Sequence, residues 1–94
     1  MVREMKFFDL YKSFDEFYNT MLRGNEVEFI YNEKHFYILP HFDENEKVTG
    51  VCLGEAYTDD EKIYLSSVEL YNAPIEGTTL NKILQEVDIK FNAI

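Results

Sequence analysis

The spacing of hydrophobic and polar positions changes several times along the chain, and each change marks an element. Phe14, Phe17, Tyr18, Met21 and Leu22 follow the i, i+3, i+4, i+7, i+8 pattern of a helix with one apolar stripe. Ser13-Phe14-Asp15-Glu16 reads as a capping box, in which the Ser13 hydroxyl accepts the Glu16 amide and the Glu16 carboxylate reaches back. Arg23 suits the negative end of the helix dipole, and Gly24 closes the helix in the left-handed conformation. From Glu26 the period falls to two: Val27, Phe29 and Tyr31 share one face, and Glu26, Glu28 and Ile30 the other. Asn32-Glu33 makes a two-residue turn, and Lys34 to Leu39 returns as a second strand. That turn sets Phe29 opposite Phe36 and Val27 opposite Ile38, which makes a core face. On the reverse face Ile30 meets His35, Glu28 meets Tyr37 and Glu26 meets Leu39.

Pro40 has no N–H for a ladder, so the second strand is expected to end there or to lie on an edge. His41 to Lys47 is a polar loop, and Val48 to Ala56 is a third strand. Its small side (Gly50, Cys52, Gly54) would let a helix approach closely, whereas its larger side carries Val51 and Leu53; the pattern leaves open which side faces inward. Tyr57 to Glu61 is a turn before a short fourth strand, Lys62 to Leu65. Ser66-Ser67-Val68-Glu69 repeats the capping-box logic, with Leu65 and Leu70 set as a hydrophobic staple, and starts a helix that ends near Asn72, before Pro74. After a break at Gly77, Thr78 or Thr79 caps a last helix carrying Leu80, Ile83, Leu84 and Val87, and Ile89 and Phe91 pack back onto the domain. The expected fold is α+β: an N-terminal helix, a three- to four-stranded antiparallel meander, and two short C-terminal helices packed on one face of the sheet.

Composition narrows the class. The sequence has 94 residues, enough for one domain over 1–94, and its eight Phe and seven Tyr supply most of the apolar payload. Net charge is -9, from eighteen carboxylates against nine Lys and Arg. This disfavours direct nucleic-acid binding and an anionic membrane surface, both of which want a cationic face. It permits a more basic protein partner, drawn in by electrostatic steering, although acidity also serves solubility alone. The one cysteine, Cys52, can close no internal disulfide and suits a reducing compartment. Met1 to Leu10 mixes charged with apolar residues and lacks the apolar run of a signal peptide, so a cytoplasmic location is the expectation.

Candidates for chemistry are few. Cys52 lies inside a strand pattern between Val51 and Leu53, the setting of a buried, inert thiol. Ser66 and Ser67 are explained as caps. His35 and His41 fall in no metal-ligand spacing; His35 with Glu28 near it across the hairpin is the closest approach to an acid/base pair. Asp43-Glu44-Asn45-Glu46 shares the acidic density of a calcium loop, but lacks the central glycine and the terminal bidentate Glu. Asp59-Asp60-Glu61 is short and linear. No catalytic residue, metal site or cofactor is expected from these residues.

The reverse face of the first hairpin stands out. Glu26, Glu28, Ile30, His35, Tyr37 and Leu39 place aliphatic and aromatic groups among carboxylates, the make-up of a protein interface if the helices cover only the opposite side. Three readings follow. The first is a non-enzymatic interaction module of the immunity or inhibitor type, with self-association into a homodimer through this face or a free sheet edge as its variant. The second is an acidic mimic of nucleic acid, against which the interspersed Lys and Arg weigh. The third is a small ligand-binding module or enzyme using His35 or His41 with a carboxylate.

From Ser13 to Tyr37 the string Ser-Phe-Asp-Glu-Phe…Arg-Gly-Asn-Glu-Val-Glu-Phe-Ile-Tyr-Asn-Glu-Lys-His-Phe-Tyr resembles a group of small acidic proteins of low-GC Gram-positive bacteria. These carry a helix, then an Arg-Gly-x-Glu hairpin, then a C-terminal Gly-x-x-Leu helix. Ser66-Ser67-Val68-Glu69-Leu70 and Ile75-Glu76-Gly77-Thr78-Thr79-Leu80-Asn81-Lys82-Ile83 match the C-terminal part. Glu33 stands where that group has Gly. The shared motifs are caps and turns, so the resemblance implies a fold and carries no catalytic residue over.

Overall fold

The computed structural model describes residues 2–6 and 11–92, with side chains at Lys6 and over residues 11–87. Helix α1 (Phe14–Leu22) forms where the apolar stripe predicts it. Ser13 caps it, its hydroxyl accepting the Glu16 amide at 3.1 Å. The Glu16 carboxylate reaches back one residue further than a simple box requires, to the Lys12 amide at 3.1 Å. Gly24 follows the helix at φ +105°, the conformation that favours glycine. Phe17 and Met21 are wholly buried, and Phe14 and Leu22 flank the core.

Strands β1 (Val2–Lys6), β2 (Glu26–Tyr31), β3 (Lys34–Phe42), β4 (Val48–Glu55) and β5 (Glu61–Tyr64) belong to one antiparallel sheet, which β8 (Asp88–Asn92) completes. The order is β1-β8-β2-β3-β4-β5, so β2 to β5 make the expected meander. The hairpin register sets Val27 opposite Ile38 and Phe29 opposite Phe36, whose rings stack with centroids 5.4 Å apart. Asn32 and Glu33 both have positive φ (52° and 65°), which makes a type I′ turn without its usual glycine.

The sheet is larger than the expected three or four strands. The Ile89–Phe91 segment packs back as β8, inserted between β2 and the N-terminal strand β1, which the sequence pattern did not reveal. Pro40 does not end β3. The Ala56 amide donates to the His35 carbonyl at 2.8 Å, so bonded and non-bonded pairs alternate from there along β3 and β4. Pro40 falls on a non-bonded pair with Val51, and its missing N–H faces the side where β2 has not yet begun. The strand is locally an edge at Pro40 although central elsewhere. Asp43 holds the following loop by accepting the Asn45 and Lys47 amides at 2.8 and 3.0 Å.

Helix α2 (Ser67–Tyr71) is capped by Ser66, which accepts the Glu69 amide at 3.2 Å. The expected staple does not close: Leu70 is buried, but Leu65 is 66% exposed. A small hairpin, β6 (Pro74–Ile75) with β7 (Thr78–Thr79), turns through Glu76 and Gly77, both at positive φ. Helix α3 (Leu80–Glu86) starts after Thr79, whose side chain makes no capping bond; Leu80, Ile83 and Leu84 are buried. The three helices cover the Val27/Phe29/Phe36/Ile38 face, onto which Val51 and Leu53 also point, in one apolar cluster.

Candidate functional site

The same six strands have a second face, which no helix covers among the described residues. Strand alternation puts Glu26, Glu28, Ile30, His35, Tyr37 and Leu39 on it together, as the hairpin register requires. Glu28 and His35 are exposed, Ile30 is 42% exposed, and Glu26, Tyr37 and Leu39 are half-buried. Glu28 lies opposite Tyr37 on one side and pairs in register with Lys90 of β8 on the other.

The small side of β4 also belongs to this face. It does not receive a helix, as its glycines suggested; side chains of the neighbouring strands lie over it instead. The Tyr37 ring occupies the space a Cβ on Gly54 would need. Ile63 and Leu65 close over Gly50, where a Cβ would stand 2.8 Å from the Tyr64 carbonyl oxygen. Leu39, Cys52 and Ile63 are aligned across β3, β4 and β5. Ile63 is 45% exposed, so the apolar part of the face extends beyond the hairpin to the sheet's edge. Ile63 and Leu65 were missed from sequence because β5 is too short to show a period. The glycine-cysteine-glycine alternation of β4 was the available signal that something lies over them.

The Tyr37 hydroxyl donates to the Glu61 carboxylate at 2.5 Å across this face. That bond, helped by burial, pushes the Tyr37 pKa up to about 12. Cys52 is buried beneath, and burial followed by the nearby Glu61 charge pushes its thiol up to about 11, so it stays protonated and unreactive at neutral pH. His35 and Glu28 do not face each other directly, since His35 is opposite Ile30.

A cleft of about 280 Å³ lies on the helix side of the sheet, between β5 and the β6–β7 hairpin. Phe36, Leu53 and Tyr64 line it from the sheet, and Pro74 and Ile75 from β6. Glu55, Asp59, Asp60 and Glu76 contribute carboxylates, and neither histidine is among its lining residues. Lys34 approaches from the hairpin turn, its Nζ 3.2 Å from a Glu76 oxygen. Glu76, then Glu55 and Asp60, raise the Lys34 pKa. At the nearby tip between β4 and β5, Tyr57 sits at φ +66° and is fully exposed. A bulky aromatic held in that conformation without packing is unusual.

Among the described residues no three His, Cys, Asp or Glu side chains are grouped to hold a metal ion, and no helix is long and apolar enough to cross a membrane. Comparison with known protein families, with curated protein sequences and with solved structures yields no match.

Proposed function

We propose that the protein is a non-enzymatic interaction module, of the immunity or inhibitor kind, that binds a more basic protein through the outer face of its sheet. One observation carries the reading: among the described residues the helices lie on one side, leaving Ile30, Tyr37, Leu39 and Ile63 at least partly open to solvent on the other. Around them stand Glu26, Glu28 and Glu61, an apolar and aromatic centre with a charged rim. The surplus of nine negative charges steers a basic partner toward it and disfavours a second copy. A single buried thiol suits a reducing compartment, so the reading takes the partner to be cytoplasmic. It extends to the low-GC Gram-positive proteins whose cap and turn motifs this chain resembles.

The test is affinity capture from source cells with the wild type and an Ile30→Lys/Leu39→Lys variant. The wild type should retain one stoichiometric, basic protein that salt releases, and the variant should lose it. Background proteins alone at low and physiological salt, or capture unaffected by the variant, would sink the reading.

A further inference from the structure

Strand β5 ends the sheet, and its outer side pairs with no described strand. The Glu55 amide donates to the Asp60 carbonyl at 3.0 Å, which fixes the alternation along the β4–β5 ladder. Lys62 and Tyr64 therefore turn their backbone groups toward β4, and Glu61 and Ile63 turn theirs outward. Two N–H and two C=O groups are thus offered to another strand. The side chains divide differently. Ile63 lies on the outer face beside the Leu39–Cys52 row, whereas Lys62 and Tyr64 lie on the helix side and line the cleft.

We infer that the β5 edge and its cleft accept an extended segment of a partner in which Arg or Lys alternates with apolar residues. Such a segment adds a strand by bonding to Glu61 and Ile63. Every second side chain then enters the cleft, where an apolar floor of Leu53 and Tyr64 suits an Arg or Lys stem and the Glu55, Asp59, Asp60 and Glu76 carboxylates suit its head. The intervening side chains lie over Ile63. The chain supplies its own precedent: Lys34 brings an ammonium to Glu76, with Glu55 and Asp60 close enough to raise its pKa. That one lysine, with Lys62, leaves the four carboxylates in excess. A second copy of this chain is the poorer occupant, because it brings its own acidic rim to the same edge. The edge shares Glu61 and Ile63 with the outer face, but the inference does not depend on the outer-face reading, since the outward backbone groups of β5 and the cleft carboxylates carry it.

The probe is a short, end-blocked, fluorescent peptide of alternating Arg and Val, with a scrambled peptide of the same composition as control. Anisotropy should show the alternating peptide binding more tightly than the scrambled one. Amide exchange should show new protection at Glu61 and Ile63. A Glu55→Gln/Asp60→Asn/Glu76→Gln variant should bind about tenfold more weakly, as expected for several partly screened charge contacts. Ile63→Pro removes an outward N–H together with the Ile63 side chain and should abolish binding; if it fails to fold, the carboxamide variant still decides. An Ile30→Lys variant should bind the peptide as the wild type does, which separates this surface from the outer face. Equal binding of the scrambled peptide, unchanged exchange at Glu61 and Ile63, or β5-mediated dimers instead of peptide binding would overturn the inference.

Discussion

The two faces of the sheet are built from alternate residues of the same strands, yet they are closed in different ways. On the helix side Val27, Phe29, Ile38 and Val51 are covered by α1, α2 and α3, and the covering groups come from distant segments. On the outer side nothing distant arrives among the described residues. Tyr37 folds over Gly54, and Ile63 and Leu65 over Gly50, so the sheet covers itself with its own side chains. The first arrangement makes stability; the second leaves a thin, half-open layer whose residues can be exchanged more cheaply.

The largest expected difference tests that contrast directly. Phe17→Ala empties a fully buried site against the sheet and should cost about 3–5 kcal/mol in denaturant unfolding. Next come the two glycines. Gly50→Ala would set a Cβ 2.8 Å from a backbone oxygen that cannot swing aside, and should cost about 1–3 kcal/mol. Gly54→Ala meets chiefly the far end of the Tyr37 ring, and its approach to backbone, 3.0 Å from the Asp60 carbonyl oxygen, is looser than at Gly50, so it should cost less, displace the ring and return the Tyr37 pKa toward normal. Calorimetry with tyrosine ultraviolet titration would separate the two; equal costs would mean that the outer layer is as rigid as the core.

A smaller effect compares two tyrosines. Tyr11 on the helix side and Tyr37 on the outer side are both pushed up to about 12, Tyr11 chiefly by burial and Tyr37 chiefly by its bond to Glu61. A raised tyrosine pKa favours the protonated, folded form. The stability it contributes is complete below the ordinary value near 10 and is lost as pH rises through about 12. Glu61→Gln should lower the Tyr37 titration and leave that of Tyr11 in place. The smallest effect is expected at Ile30→Thr, within about 0.5 kcal/mol of wild type in unfolding, because the site is already open.

Much of the fold could be read because its signals are local. The Ser13 cap, the α1 stripe and the β2–β3 register all depend on residues within a few positions of one another. The β1–β8 pair could not, since the two strands are short and meet across nearly the whole sequence. Pro40 misled because its cost depends on where β2 begins, a property of a neighbour. Leu65 misled because its position before α2 fits a staple, whereas the side chain turns to Gly50. For the candidate surfaces, the six outer-face residues of the hairpin followed from period two alone. The cleft did not, because β3, β4, β5 and β6 each contribute only a few of its walls.

The strand order also sets a timetable. Among the described strands β1 pairs only with β8, so the first strand of the sheet waits for the last, with Val2 meeting Asn92. As the chain leaves the ribosome, the β2–β5 meander can assemble from near neighbours while β1 still has no strand to join. The closing step brings together residues far apart in sequence and pays a large loop entropy for a few backbone bonds. The β1–β8 flank should therefore be the last part of the sheet to form and the first to come away under load.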